Sequence, residues 1–132
     1  MTRYLVLSKY DEGLDAPPMS DWDPDDITAH MEYLRALNKE LIESGELVDG
    51  LALTGPELAR IVVSDGGPTV VTDGPFPEVK ELLAGYQMID VESEERAIEI
   101  AAKVSAAPGP GGAPLRQRIE LRPVLGAIPS DL

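Results

Sequence analysis

The sequence predicts an α+β domain in which two helices cover one face of an antiparallel sheet. Three observations predict it. Short apolar runs with strand character lie near both ends of the chain. Two segments place apolar residues at helical spacing behind a strong N-cap. Two strand-like runs flank the turn Asp65-Gly66-Gly67-Pro68. The predicted order is β-α-β-β-(β)-α-β, and at 132 residues it fits one domain spanning 1–132, long enough for a hydrophobic core.

Tyr4 to Ser8 is a short apolar run and reads as a buried first strand. A polar, Pro-containing loop follows to about Asp21. The first helix opens with agreeing signals: Asp23 as N-cap, Pro24 at the first helical position, and Asp25 and Asp26 against the positive end of the helix dipole. Trp22 is placed to staple onto Ile27. The helix is predicted to reach Ser44, with Gly45 taking the left-handed turn after it. Ile27, Met31, Leu34, Leu37, Leu41 and Ile42 form its expected apolar face, opposite Glu32, Arg35, Lys39 and Glu43.

Strand signals follow at 51–53 and 60–64, and 69–72 returns from the turn to make a hairpin with the latter. A further strand fits 85–91. Ser93 caps a second helix that ends near Val104, with Ala97, Ile100, Ala101 and Val104 on one face. The Gly/Pro/Ala-rich stretch 106–114 reads as a flexible loop, and 116–124 alternates as a last, half-exposed strand. The second face of such a sheet is left partly apolar, and a second copy of the chain is its simplest cover.

Composition narrows the partners. The formal charge of −13, from 24 acids against 11 bases, opposes binding to nucleic acid or to anionic membranes. No cysteine is present, which removes disulfides, thiolate nucleophiles and Cys-ligated metals. No apolar stretch is long enough to span a bilayer, residues 1–8 are too short a run for a signal peptide, and cytoplasmic residence is expected.

Several residue groups bear on chemistry. Asp21, Asp23, Asp25 and Glu32 match four positions of a calcium-binding EF-hand loop. Asp26 stands where that loop needs glycine, however, and Pro24 interrupts it, so helix capping accounts for the same acids and no metal is expected. His30 is the chain's one histidine, on the first helix at the edge of its apolar face. It reads either as a core-edge residue or as a general acid or base, the latter needing a carboxylate to fix its tautomer. Asp73, at the end of a strand and the start of the turn Asp73-Gly74-Pro75, is a carboxylate available for that role. It reads equally as a turn residue bonding its own backbone. Arg60, Lys80 and Tyr86 are candidate substrate contacts, each also explicable as a surface or packing residue. Phosphate loops, dinucleotide fingerprints and nucleophile elbows leave no trace, and no cofactor is expected.

The run Asp73 to Glu81, DGPFPEVKE, resembles the signature DGPFAETKE of the YCII-related family, agreeing at seven of nine positions; Pro77 and Val79 depart from it. The flanks are similar too: the hairpin Arg60 to Thr72, the stretch Ala84 to Val91, and Arg122-Pro123-Val124. The resemblance implies a ferredoxin-like sandwich assembled as a dimeric α+β barrel, and a His/Asp pair in the cavity at the positions of His30 and Asp73. Such a pair suits binding of an unidentified small organic molecule with cofactor-free acid–base chemistry of lyase, isomerase or dehydrohalogenase type, which is the leading expectation. A non-catalytic ligand sensor or interaction protein is the alternative expectation, and the resemblance adds a link to sigma-factor regulation.

Overall fold

The computed structural model describes residues 1–11, 16–74 and 81–126. Along the chain lie β1 (Thr2–Asp11), α1 (Pro24–Glu43), β2 (Leu47–Ala52), β3 (Arg60–Val63), β4 (Val70–Asp73), β5 (Glu81–Val91), α2 (Glu94–Ser105) and β6 (Ile119–Pro123). Four strands form an antiparallel sheet in the order β2-β5-β1-β6, whereas among the described residues β3 and β4 pair only with each other, in a separate two-stranded sheet.

Both helices start where their side chains supply missing hydrogen bonds. The Asp23 carboxylate accepts from the Asp25 amide at 3.1 Å, and the Ser93 hydroxyl accepts from the Arg96 amide at 3.1 Å. Gly45 follows α1 at φ 81°, a left-handed conformation that glycine adopts without a Cβ clash.

One core holds the layers together. Tyr4 and Val6 of β1 and Ile89 and Val91 of β5 point to one face of the sheet, where they meet Leu37 and Leu41 of α1 and Ala97, Ile100 and Val104 of α2. Val6, Leu41, Ile89, Val91 and Ile100 are fully buried, each contributing roughly 1.5–3 kcal/mol by transfer from water. Ile89 lies on the inner strand β5 and is fully buried in this core, so truncating it to alanine would cost about 2–5 kcal/mol.

The apolar face of α1 is rotated from the one expected. His30, Leu37 and Leu41 are its buried residues, while Met31 and Ile42 face solvent. Spacings of seven and eleven place His30 in line with Leu37 and Leu41, so the histidine sits within the buried stripe rather than at its edge.

The ferredoxin-like sandwich closing into a dimeric α+β barrel is corrected by the structure. The fold is α+β with two sheets, and the larger one stays open without strong curl: β2 and β6 are its outer strands and do not pair with each other. Closure would require pairing at those two edges. β2 has six residues and shifts register between Leu47 and Asp49, and the chain after it leaves the sheet to form the β3–β4 hairpin. Nor is the face away from the helices a bare apolar surface. It carries the pairs Arg3–Asp90 at 3.8 Å, Lys9–Glu120 at 2.6 Å and Arg122–Glu120 at 3.5 Å, with Tyr86 donating to Asp49 at 2.9 Å.

A polar clamp joins the β2 entry to α2. Arg96 Nε donates to Glu46 Oε2 at 2.8 Å and its Nη2 donates to Oε1 at 2.9 Å, while Ser44 Oγ donates to the same Oε1. The Arg96 hydrogen bonds hold the Glu46 carboxyl below the usual glutamate range, against an opposing effect of burial.

Candidate active site around His30

The first turns of α1, the segment before it and the connection after α2 meet at His30. Its ring is 7% exposed, and Nδ1 lies 2.9 Å from the Pro108 carbonyl oxygen. A carbonyl only accepts, so Nδ1 carries the proton and donates. In the neutral ring, Nε2 then holds the lone pair, the state required of a base. Nε2 has no hydrogen-bond partner among the described residues.

Trp22 fixes the other side. Its ring meets the imidazole edge-to-face, centroids 5.6 Å apart and planes at 85°, and its own Nε1 donates to the Pro17 carbonyl at 2.8 Å. The connection that presents Pro108 is itself tied down. Pro108 bridges to Pro114, the Leu115 amide donates to the Ala107 carbonyl at 2.9 Å, and the Gly111 amide donates to Asp26 Oδ2 at 3.1 Å. Gly111 and Gly112 both take positive φ there. One helical turn beyond His30, the Tyr33 hydroxyl donates to the Lys103 carbonyl at 2.7 Å and ties α1 to α2.

The remaining candidates lie elsewhere. Asp73 ends β4, where register sets it opposite Arg60 of β3, and Arg60 Nε lies 3.3 Å from its Oδ1. Both side chains are more than two-thirds exposed. No hydrogen bond or ion pair joins Asp73 to His30. Tyr86, half-buried on β5, donates to Asp49 of β2, and this hydrogen bond raises the phenol above the usual tyrosine range. Lys80, with Pro75 to Val79 of the signature run, lies outside the described residues.

Asp23, read as a helix cap in preference to a calcium ligand, does cap α1, and Asp26 binds the Gly111 amide. Among the described residues, no group of three or more histidine and acidic side chains could hold a metal ion. No helix among them is long and apolar enough to cross a membrane.

Two parts of the His30 surroundings were not assigned to it from the sequence. Trp22 reads as a helix staple, and Pro108 contributes through its backbone carbonyl, which carries no residue-type signature. The Gly/Pro-rich stretch does show where the backbone could turn sharply enough to aim that carbonyl.

The fold and this site define a two-sheet α+β domain with one buried, backbone-oriented histidine. The chain belongs to the YCII-related family: the model of the YCII-related domain matches residues 2–111. It is 32% identical over 128 residues to an uncharacterised protein of Rhizobium meliloti, covering 96% of this chain and 98% of that protein. A shorter similarity, 31% identity over 84 residues, links it to the DNA mismatch repair protein MutL of Streptococcus equi. That match covers 58% of this chain and 13% of that protein, too small a share to carry its activity across.

Proposed function

We propose that this YCII-related protein binds a small organic molecule beside His30 and moves a proton there without a cofactor, Nε2 acting as the base or, once protonated, the acid. The observation that carries the reading is the 2.9 Å hydrogen bond from Nδ1 to the Pro108 carbonyl. It fixes the tautomer that leaves Nε2 basic, the role a carboxylate plays in other acid–base sites. Positioned acid–base catalysis contributes roughly 10²–10⁴-fold, so a substrate whose proton is already moderately acidic suits the site.

Asp73 enters the proposal as the second proton-handling group. Its ion pair with Arg60 is exposed, and such pairs contribute only about 0–1 kcal/mol, so Arg60 does not lock the carboxylate away. Arg60 and Lys80 are the proposed substrate contacts, Tyr86 lying on the sheet face away from the helices and out of reach of a ligand beside His30, and a second copy of the chain is the proposed partner. A non-catalytic ligand sensor or interaction protein is the second reading, favoured by the pairing of Asp73 with Arg60 instead of His30.

A thermal-shift screen of small organic acids and carbonyl compounds tests the first reading, using wild type, His30→Ala and Asp73→Asn. Ligands that stabilise wild type but neither variant support it, and proton exchange from a bound ligand, followed by NMR in deuterated water, separates catalysis from sensing. Ligands that stabilise wild type and His30→Ala equally would place binding elsewhere and sink the His30 site.

A further inference from the structure

The connection after α2 is a closed loop braced from within. The Gly109 amide donates to the Ala113 carbonyl at 2.7 Å, the Gly112 amide to the Gly109 carbonyl at 3.0 Å, and the Leu115 amide to the Ala107 carbonyl at 2.9 Å. Gly109 is buried, and a Cβ there would stand 2.7 Å from Leu115 Cδ2, so the loop is packed by one of its own side chains. A loop braced in this way moves as one piece, and its aim depends on what it is tied to.

Among the described residues, two hydrogen bonds tie it to α1. His30 Nδ1 donates to the Pro108 carbonyl at 2.9 Å, and Asp26 Oδ2 accepts from the Gly111 amide at 3.1 Å. Asp26 and His30 stand four positions apart, one above the other on the same side of the helix. With the His30 tie alone the loop could pivot about it; with two ties one helical turn apart, the Pro108 carbonyl keeps one direction. Gly111 brings its amide to the helix at φ 68°, a conformation glycine takes without strain.

The neighbouring acid shows what Asp26 adds. Asp25 and Asp26 both lie in the first turn of α1, where either complements the helix dipole. Asp25 is exposed, whereas Asp26 is half-buried and holds the loop.

We propose that Asp26 is a positioning residue for His30. By holding Gly111 it aims the Pro108 carbonyl, which keeps the ring proton on Nδ1 and the lone pair on Nε2. This rests on the reading of His30 as the base, and it names the side chain that sets the tautomer of that base from outside the ring's own contacts.

The test is nitrogen NMR of the single imidazole at about pH 9, where the neutral ring prevails, in wild type, Asp26→Ala, Asp26→Asn and Asp25→Ala. Asparagine keeps a carbonyl oxygen for Gly111 and removes the charge. Asp25→Ala removes an equal charge from the same turn and leaves the loop tied. Alanine is the strongest helix former, so Asp26→Ala keeps the fold, which circular dichroism confirms. Wild type and Asp25→Ala are expected to carry the proton on Nδ1. Asp26→Ala should move the tautomer ratio toward Nε2–H by about fivefold, the worth of one ordinary hydrogen bond, and Asp26→Asn should restore most of it.

No ligand enters this measurement, so the thermal-shift screen decides the base reading separately. A ratio unchanged in Asp26→Ala, or a shift matched by Asp26→Asn or Asp25→Ala, overturns the positioning role and leaves the His30 site standing. A wild-type ring protonated on Nε2 overturns both, because the bond to Pro108 is then absent.

Discussion

Replacing Glu46 by alanine removes the carboxylate that two Arg96 hydrogen bonds, at 2.8 and 2.9 Å, hold between the start of β2 and the first turn of α2. The side chains are 15% and 24% exposed, so solvent screens the pair only in part. A hydrogen bond to a charged group contributes about 1.5–3 kcal/mol, and two bonds to one partner share much of that. Arg96 keeps Glu99 at 3.1 Å in the variant, which softens the loss. The expected destabilisation is therefore about 2–3 kcal/mol, or a fall in Tm of roughly 6–15 °C for a chain of this length.

The acid limb supplies an independent check. Glu46 is held below its unfolded value, so its contribution is complete above the unfolded glutamate pKa of about 4.3 and disappears as pH falls through the folded value. The stability gap between wild type and Glu46→Ala should thus be widest near neutrality and shrink below about pH 4. Thermal melts followed by circular dichroism from pH 3 to 7 measure both quantities. A variant melting within about 2 °C of wild type at pH 7, or a gap unchanged down to pH 3, would refute the assignment of stability to this clamp.

Gly85→Ala should destabilise by about 1–3 kcal/mol in urea titration, because an added Cβ would stand 2.8 Å from the Leu51 carbonyl oxygen on the neighbouring strand. Nitrogen NMR of the single histidine should show the proton on Nδ1 in the neutral ring; a neutral ring protonated on Nε2 would contradict the bond to Pro108. Asp49→Asn should lower the titration of Tyr86, read from phenolate absorbance in wild type and variant. Since the phenol is raised in the folded protein, the stability it contributes is present below about pH 10 and lost as pH rises through the folded value.

The elements with local chemical signals were legible. Asp23, Ser93 and Gly45 mark helix ends through backbone groups they satisfy or conformations they permit, and each stands where it was placed. The hairpin pairing was legible for the same reason, its turn being written in glycines and Asp65. What Ile61 to Val63 could not disclose is exposure: a continuous β-branched run has the pattern of a buried strand, yet these residues face solvent in the chain as described. The barrel came from resemblance, and whether β2 and β6 meet depends on long-range geometry that no local signal records; they lie at opposite edges of the sheet. At the site, the Arg60–Asp73 pair was within reach of the sequence, since extending the hairpin register by one step sets them opposite each other. The hydrogen bond to Pro108 was not, because a backbone acceptor looks the same in every residue.

That bond spans 78 positions of sequence, and beside it sits the only tryptophan of the chain, in contact with the only histidine. Protonated imidazole quenches indole emission more strongly than the neutral ring does. The intensity of Trp22 therefore reports the charge state of His30 directly, without label or mutation. In a refolding experiment, its final change marks the moment when segments far apart in the chain have closed around the imidazole.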